Sequence, residues 1–331
     1  MRLPGKLHLG ALIVVLGTTA AGLAQSAKPE PTPTPAAPPI KLLLTSLVPD
    51  ATIEIAGETS FASGPDGVWI SSRTTGTAVR IDPKTNKPEK PVSIGNEPCQ
   101  SLVFAFKSLW SPICAGGALR RVTPTDPDKP VTITTAVRGA GPLVAATGSI
   151  WMITDAAGSL VRIDPDTNAV VAEVTIANGA TALAVSGDTL WVASKTKAMV
   201  SRVNGHTNVV EETVKVGASP LAVASGEGSI WVLNSDGSVS RIDPKTNKVI
   251  ETIKTGAAGT TGTIAVGEGS VWLSTPGFPL SRIDPKTNRL AQQFTGPGGG
   301  VFLIAQKSIW LNATPTHVWR VDPKRVEATR K

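Results

Sequence analysis

The chain has 331 residues, 41% of them hydrophobic, with a formal charge of +7, two cysteines, three histidines and no tyrosine. That apolar share is sufficient for a core. An aromatic content of only 4% argues against a stacked sugar platform, and the basic residues lack the interleaved aromatics that single-strand binders use.

The N-terminus reads as a targeting segment. Arg2 and Lys6 form a basic start, Leu9–Leu16 an apolar centre, and Gly22-Leu23-Ala24 a small-residue cleavage site before Gln25. The apolar run is short for a membrane span, and no cysteine near the cleavage point offers a lipid anchor. Loss of residues 1–24 removes two basic and no acidic residues, so the charge falls from +7 to +5. The expected address is periplasmic or secreted. Residues 25–49 carry a run of prolines from Pro29 to Pro39 and read as an extended, disordered linker.

From residue 50 to 325 one unit repeats. Trp69, Trp110, Trp151, Trp191, Trp231, Trp272 and Trp310 follow at spacings of 41, 41, 40, 40, 41 and 38 residues. That interval matches one four-stranded blade. Ten or eleven residues after each tryptophan comes an arginine followed by Ile or Val, from Arg80-Ile81 to Arg320-Val321. In five repeats Asp-Pro comes next, as in Asp243-Pro244-Lys245-Thr246-Asn247, while the second has drifted to Thr123-Pro124-Thr125-Asp126. Aspartate before proline opens a turn, and asparagine closes it by tolerating the left-handed conformation. Short β-branched runs flank these turns, so one repeat reads as strands Leu221–Ser225, Ser229–Leu233, Ser238–Asp243 and Lys248–Lys254, inner to outer.

The seventh repeat lacks an outer strand, and the segment Ala51–Gly57 precedes the first inner strand without belonging to a blade. An open ring leaves sheet edges, so Ala51–Gly57 is expected to complete the last blade. The fold expected is therefore all-β: a seven-bladed β-propeller of four-stranded antiparallel blades, closed by its N-terminal strand. Residues 326–331 read as a C-terminal tail. The paired tryptophans and arginines read as packing partners, with the guanidinium of each of the seven repeats stacked on an indole between blades. Cys99 and Cys114 lie on either side of a hairpin turning near Phe106-Lys107, so folding brings them opposite each other, and export makes a disulfide plausible.

Propeller ligands usually meet the face carrying the loops between second and third strands and the blade-to-blade links. The polar residues expected there are Arg73, Arg138, Lys195, Lys197, Asp155, Asp236 and His317, with Glu97 on a link. No catalytic, metal-ligating or cofactor-binding cluster stands out among them.

The unit Gly-Ser-Ile-Trp-Val, followed by Val-Ser-Arg-Ile-Asp-Pro-Lys-Thr-Asn-Lys-Val-Ile-Glu-Thr-Ile, resembles the YVTN-type seven-bladed propeller repeat. It also resembles the virginiamycin B lyase-like propellers, over about residues 50–325. The resemblance implies the fold. The lyase repeats tend to carry glutamate three residues after tryptophan; here those positions hold Ser72, Ile113, Thr154, Ser194, Asn234, Thr275 and Ala313. The lyase also uses histidines and a magnesium-binding glutamate. His8 lies in the leader and His206 in a repeat turn, so only His317 could face the mouth. The acid–base groups for metal-assisted elimination are therefore missing. The functional expectation is a monomeric, non-catalytic propeller that engages a protein, peptide or envelope component through its loop face. A metal-dependent lyase or hydrolase is the alternative, and a weak polyanion or single-stranded DNA binder the further one.

Overall fold

Alternating buried and exposed β-branched residues, punctuated by tight hairpins, drive one local structure throughout. In the computed structural model, which describes residues 38–329 except 56, 58, 115 and 136–140, each tryptophan lies on the second strand of a four-stranded antiparallel sheet. The fifth blade is representative: Pro220–Gly226, Ser229–Asn234, Ser238–Asp243 and Lys248–Lys254. Seven such sheets form among the described residues. Their inner strands touch in chain order, and that of the seventh touches that of the first. Apolar clusters fill the seams between blades, and Trp110, Trp151, Trp191, Trp231, Trp272 and Trp310 are fully buried there.

The ring closes as the sequence implies. Ala51–Glu54 pairs antiparallel with His317–Val321, in the register Ala51↔Arg320 to Glu54↔His317. Two boundaries differ from expectation. The expected linker does not run to residue 49: Ile40–Leu43 adds a fifth strand to the sixth blade, parallel to Arg289–Thr295. A 3-10 turn, Leu44–Ser46, follows, and Leu44 and Leu47 are buried against Trp272 and Phe294. The prolines end at Pro39, and the apolar run after them gains more from burial than from solvation. The leader segment 1–24 lies outside the described residues.

The expected tail is instead a helix, Pro323–Ala328. The Asp-Pro dipeptide that opens turns elsewhere here starts a helix. Asp322 caps the backbone N–H of Lys324, and Pro323 takes the first helical position. In the turns Asn86, Asn168, Asn208, Asn247 and Asn288 reverse the chain at φ of 55–60°. The seventh repeat has Val326 in place of that asparagine, so the helix continues and buries Val326 completely.

All seven tryptophans pair across the hairpin with the arginine of the same blade, from Trp69↔Arg80 to Trp310↔Arg320. Stacking occurs in four blades rather than seven, within a blade rather than between blades: Arg121, Arg162, Arg241 and Arg320 lie 4.8, 5.5, 4.7 and 5.4 Å from the indole centroids. These four arginines also reach into the turn of the next blade. Arg241 donates to the Pro285 carbonyl and Asn288 Oδ1, both at 2.7 Å. Arg121 reaches Pro165 and Asn168, and Arg162 reaches Asn208. Arg320 reaches Pro83 and Asn86 across the closure. A serine two residues before each of these tryptophans accepts from the arginine Nε, as Ser229 does at 2.8 Å. Thus the repeated Ser, Trp, Arg and Asn form one latch from blade to blade.

In the other three blades a carboxylate takes the arginine. Glu89 binds Arg80 at 2.6 and 3.0 Å, in a blade whose successor has lost the turn. Glu327 of the helix binds Arg282 at 2.6 Å, where the helix replaces the turn. Arg202 lies 3.6 Å from Glu211.

Candidate functional site

Strand alternation puts the first–second hairpins and third–fourth turns on one face, where the latches lie. The other face carries the second–third loops and the links, as the sequence reading required. The expected polar residues are dispersed over this second face. Three of them, Asp155, Asp236 and His317, bond within their own loops. Asp155 Oδ1 accepts from the Gly158 N–H at 3.0 Å. Asp236 Oδ1 accepts from the Ser238 hydroxyl at 2.7 Å and from its N–H at 2.9 Å. These bonds, the hydroxyl's first, hold the Asp236 carboxyl below its ordinary pKa. His317 Nδ1 lies 2.9 Å from Thr316 Oγ1 and 3.2 Å from Thr314 Oγ1, both exposed. Lys195, Lys197 and Arg73 are exposed on second–third loops. Glu97 is exposed on the link after the first blade, at a φ of 50°. Arg138 lies outside the described residues.

The structure instead opens a cavity of about 820 Å3 on this face, over the sixth and seventh blades and the start of the first. Its walls are the second–third loops of blades six and seven, with Pro276 and Pro315, and the link Pro297–Val301. The link is built from glycines. Gly298, Gly299 and Gly300 have φ of 94, 95 and 91°, which side-chain-bearing residues rarely adopt. A Cβ on Gly298 would meet the Ala313 carbonyl at 2.5 Å, while one on Gly300 would meet nothing within 4 Å. The link is therefore pressed against the seventh blade at one residue and open at another.

Hydrogen bonds fix this wall. Gly300 donates to Ser274 Oγ at 2.9 Å and accepts from the Thr263 hydroxyl. Gly299 donates to the Asn312 carbonyl at 2.9 Å, and the Asn312 amide oxygen accepts from Thr59 at 2.8 Å. Threonine hydroxyls, the amides of Gln100 and Asn312, glycine backbone and three proline rings make the surface. Among the described residues none that lines it is ionisable. The residues singled out in the sequence are not among those that line the cavity, because that reading searched for charge and the described lining is neutral. The run Gly296–Gly300 was the available signal.

A second cleft, of about 670 Å3, lies on the latch face beside the C-terminal helix. Its charges are largely spoken for: Asp50 pairs with Arg325 at 2.7 Å, Glu327 with Arg282, and Arg320 with its latch. Among the described residues no three His, Cys, Asp or Glu side chains are grouped to hold a metal ion. Cys99 and Cys114 form a disulfide with a Cα separation of 5.3 Å. It ties the link before the second blade's inner strand, Val103–Ala105, to the end of the second strand, Ser108–Ile113. No helix among the described residues is long and apolar enough to cross a membrane.

No family model matches this chain, and no curated protein matches it. Among solved structures it is similar to virginiamycin B lyase from Staphylococcus aureus, with a TM-score of 0.67 and 14% identity over 82% of this chain and 98% of that one. That likeness is one of fold alone: a seven-bladed propeller.

Proposed function

We propose that this chain is an exported, non-catalytic propeller that holds an uncharged segment of a protein, peptide or envelope component in the cavity of blades six and seven. The observation that carries the reading is that the described residues lining that cavity are all neutral. Its hydroxyls, amides and backbone groups can exchange hydrogen bonds with a neutral polar partner, and its proline rings can cover apolar surface. General acid–base chemistry needs a titratable group within hydrogen-bond reach of the substrate, and the lining offers none among the described residues. The basic–apolar–small leader and the Cys99–Cys114 bridge support export to an oxidising compartment.

The test is a blocked variant. Thr314 is exposed at the rim, so Thr314→Trp narrows the mouth without disturbing the core. Purified mature protein, immobilised, is challenged with envelope extract at low and moderate salt. A partner that the wild type retains at both salts and Thr314→Trp loses is the expected result. Retention that the blockade leaves intact, and that collapses with salt, transfers the reading to a polyanion binder. A melting shift with divalent cations, reversed by chelator, transfers it to metal-dependent catalysis.

A further inference from the structure

The seam between blades four and five departs from the latch pattern in a way its neighbours do not. Blade five carries the intact turn, Asp243 to Asn247, with Asn247 at a φ of 56° like the latched asparagines. Arg202 of blade four lies opposite Trp191 in the same register as the latching arginines. Yet Asn247 Oδ1 is buried and accepts from no side chain, and Arg202 Nε and Trp191 Nε1 are buried donors without a protein acceptor. These are the three atoms that the latch satisfies in blade five, where Trp231 donates to the Gly226 carbonyl at 3.0 Å, Arg241 Nε to Ser229, and Arg241 Nη1 to Asn288.

Two sequence differences account for the departure. The serine that orients the arginine is replaced by Thr189, whose β-branched side chain has restricted χ1. Glu211 stands on the outer strand Val209–Lys215, 3.6 Å from Arg202. It is a poor substitute partner: Glu89 and Glu327 bind their arginines at 2.6 Å. Glu211 makes its shorter bond, 2.8 Å, to Asn204.

We propose that Glu211 diverts Arg202 from the turn of blade five and so keeps the seam between blades four and five unlatched although both halves of the latch are present. Blade four presents Lys195 and Lys197, and blade five Asp236, on the opposite face, so a partner spanning those loops would bind across a compliant joint. Neutralising Glu211 releases Arg202 to Pro244 and Asn247, as Arg241 reaches Pro285 and Asn288.

The variant Glu211→Gln keeps an amide oxygen for Asn204 and removes the charge. Loss of an ordinary surface ion pair lowers the melting temperature; here the substitution raises it by about 2 °C. Asn247→Gly keeps the left-handed turn while deleting the acceptor. It is expected to leave the wild type unchanged and to cancel the gain in the Glu211→Gln background. Asn288→Gly, which deletes Arg241's acceptor, lowers melting in both backgrounds. Amide exchange around the turn 243–247 is expected to slow about tenfold in Glu211→Gln. An unchanged or lower melting temperature for Glu211→Gln, with Asn247→Gly costing the same in both backgrounds, overturns the proposal.

Discussion

The two faces of the ring obey different rules. On the latch face a handful of residue types recurs at fixed positions, and four of the seven repeated arginines join one blade to the next. On the loop face the sequence does not recur, and five glycines, three prolines and a set of hydroxyls line a cavity placed to one side of the ring, mainly over the sixth and seventh blades. Repetition therefore marks what holds the ring together. Departure from it marks where the molecule can do something particular.

The sharpest way to break this division is to remove a repeated indole. Trp231→Ala deletes a fully buried side chain and is expected to cost about 3–5 kcal/mol, measured by urea unfolding. Trp319, the eighth tryptophan, lies outside the repeat register and is only half-buried; truncating it should cost clearly less. Equal losses would erase the distinction.

Next comes the covalent tie on the loop face. Reduction of Cys99–Cys114, which closes a separation of 15 residues, is expected to lower stability by about 3 kcal/mol. Free-thiol titration before and after reduction checks that the bridge is present.

The latch supplies a smaller contrast. Arg241→Ala strands two partly buried acceptors of the next blade and should cost about 2 kcal/mol. Arg202→Ala, at the unlatched seam, should cost less than about 1 kcal/mol. Similar values for both would mean that the inter-blade bonds add nothing to packing.

The turn aspartates give a pH dependence. Backbone N–H groups, first those of Lys84, Thr167 and Lys245, hold the carboxyls of Asp82, Asp164 and Asp243 below the ordinary 3.8. A depressed carboxyl stabilises the fold while it stays ionised. Its contribution is therefore full above the unfolded value, shrinks as pH falls below about 4 and is gone once the folded pKa is passed. Melting measured from pH 6 to 2 should drop through that window, and the combined Asp→Asn variant of the three turns should flatten the drop. Smallest of all, Lys195→Ala and Lys197→Ala on the exposed loop should each stay within about 0.5 kcal/mol of the wild type.

Much of the fold was legible because its determinants are local and recur. A hairpin with Trp231 on one strand and Arg241 on the next encodes its own register, and Asp243-Pro244 with Asn247 encodes its own reversal. Closure was legible by subtraction, since the seventh repeat lacked an outer strand and Ile53 lay in an apolar segment with no blade. The fifth strand at Ile40–Leu43 was not legible, because nothing local distinguishes a short apolar run that will find a sheet edge from the end of a linker. The helix at Pro323 was hidden because Asp-Pro serves equally as turn opener and helix start, and only the residues after it decide.

The sequence by itself determined the number of blades, the strand order, the disulfide and the face on which loops would gather, because each depends on near neighbours along the chain. The tertiary structure alone decided which of those loops enclose space and which arginines reach the following blade. Both depend on side chains of different blades meeting, whether those blades are adjacent in the chain, as for Arg241 and Asn288, or at its two ends, as for Thr59 and Asn312. Periodicity records which residues recur and not which of them touch, so the cavity and the unlatched seam emerged only from the folded ring.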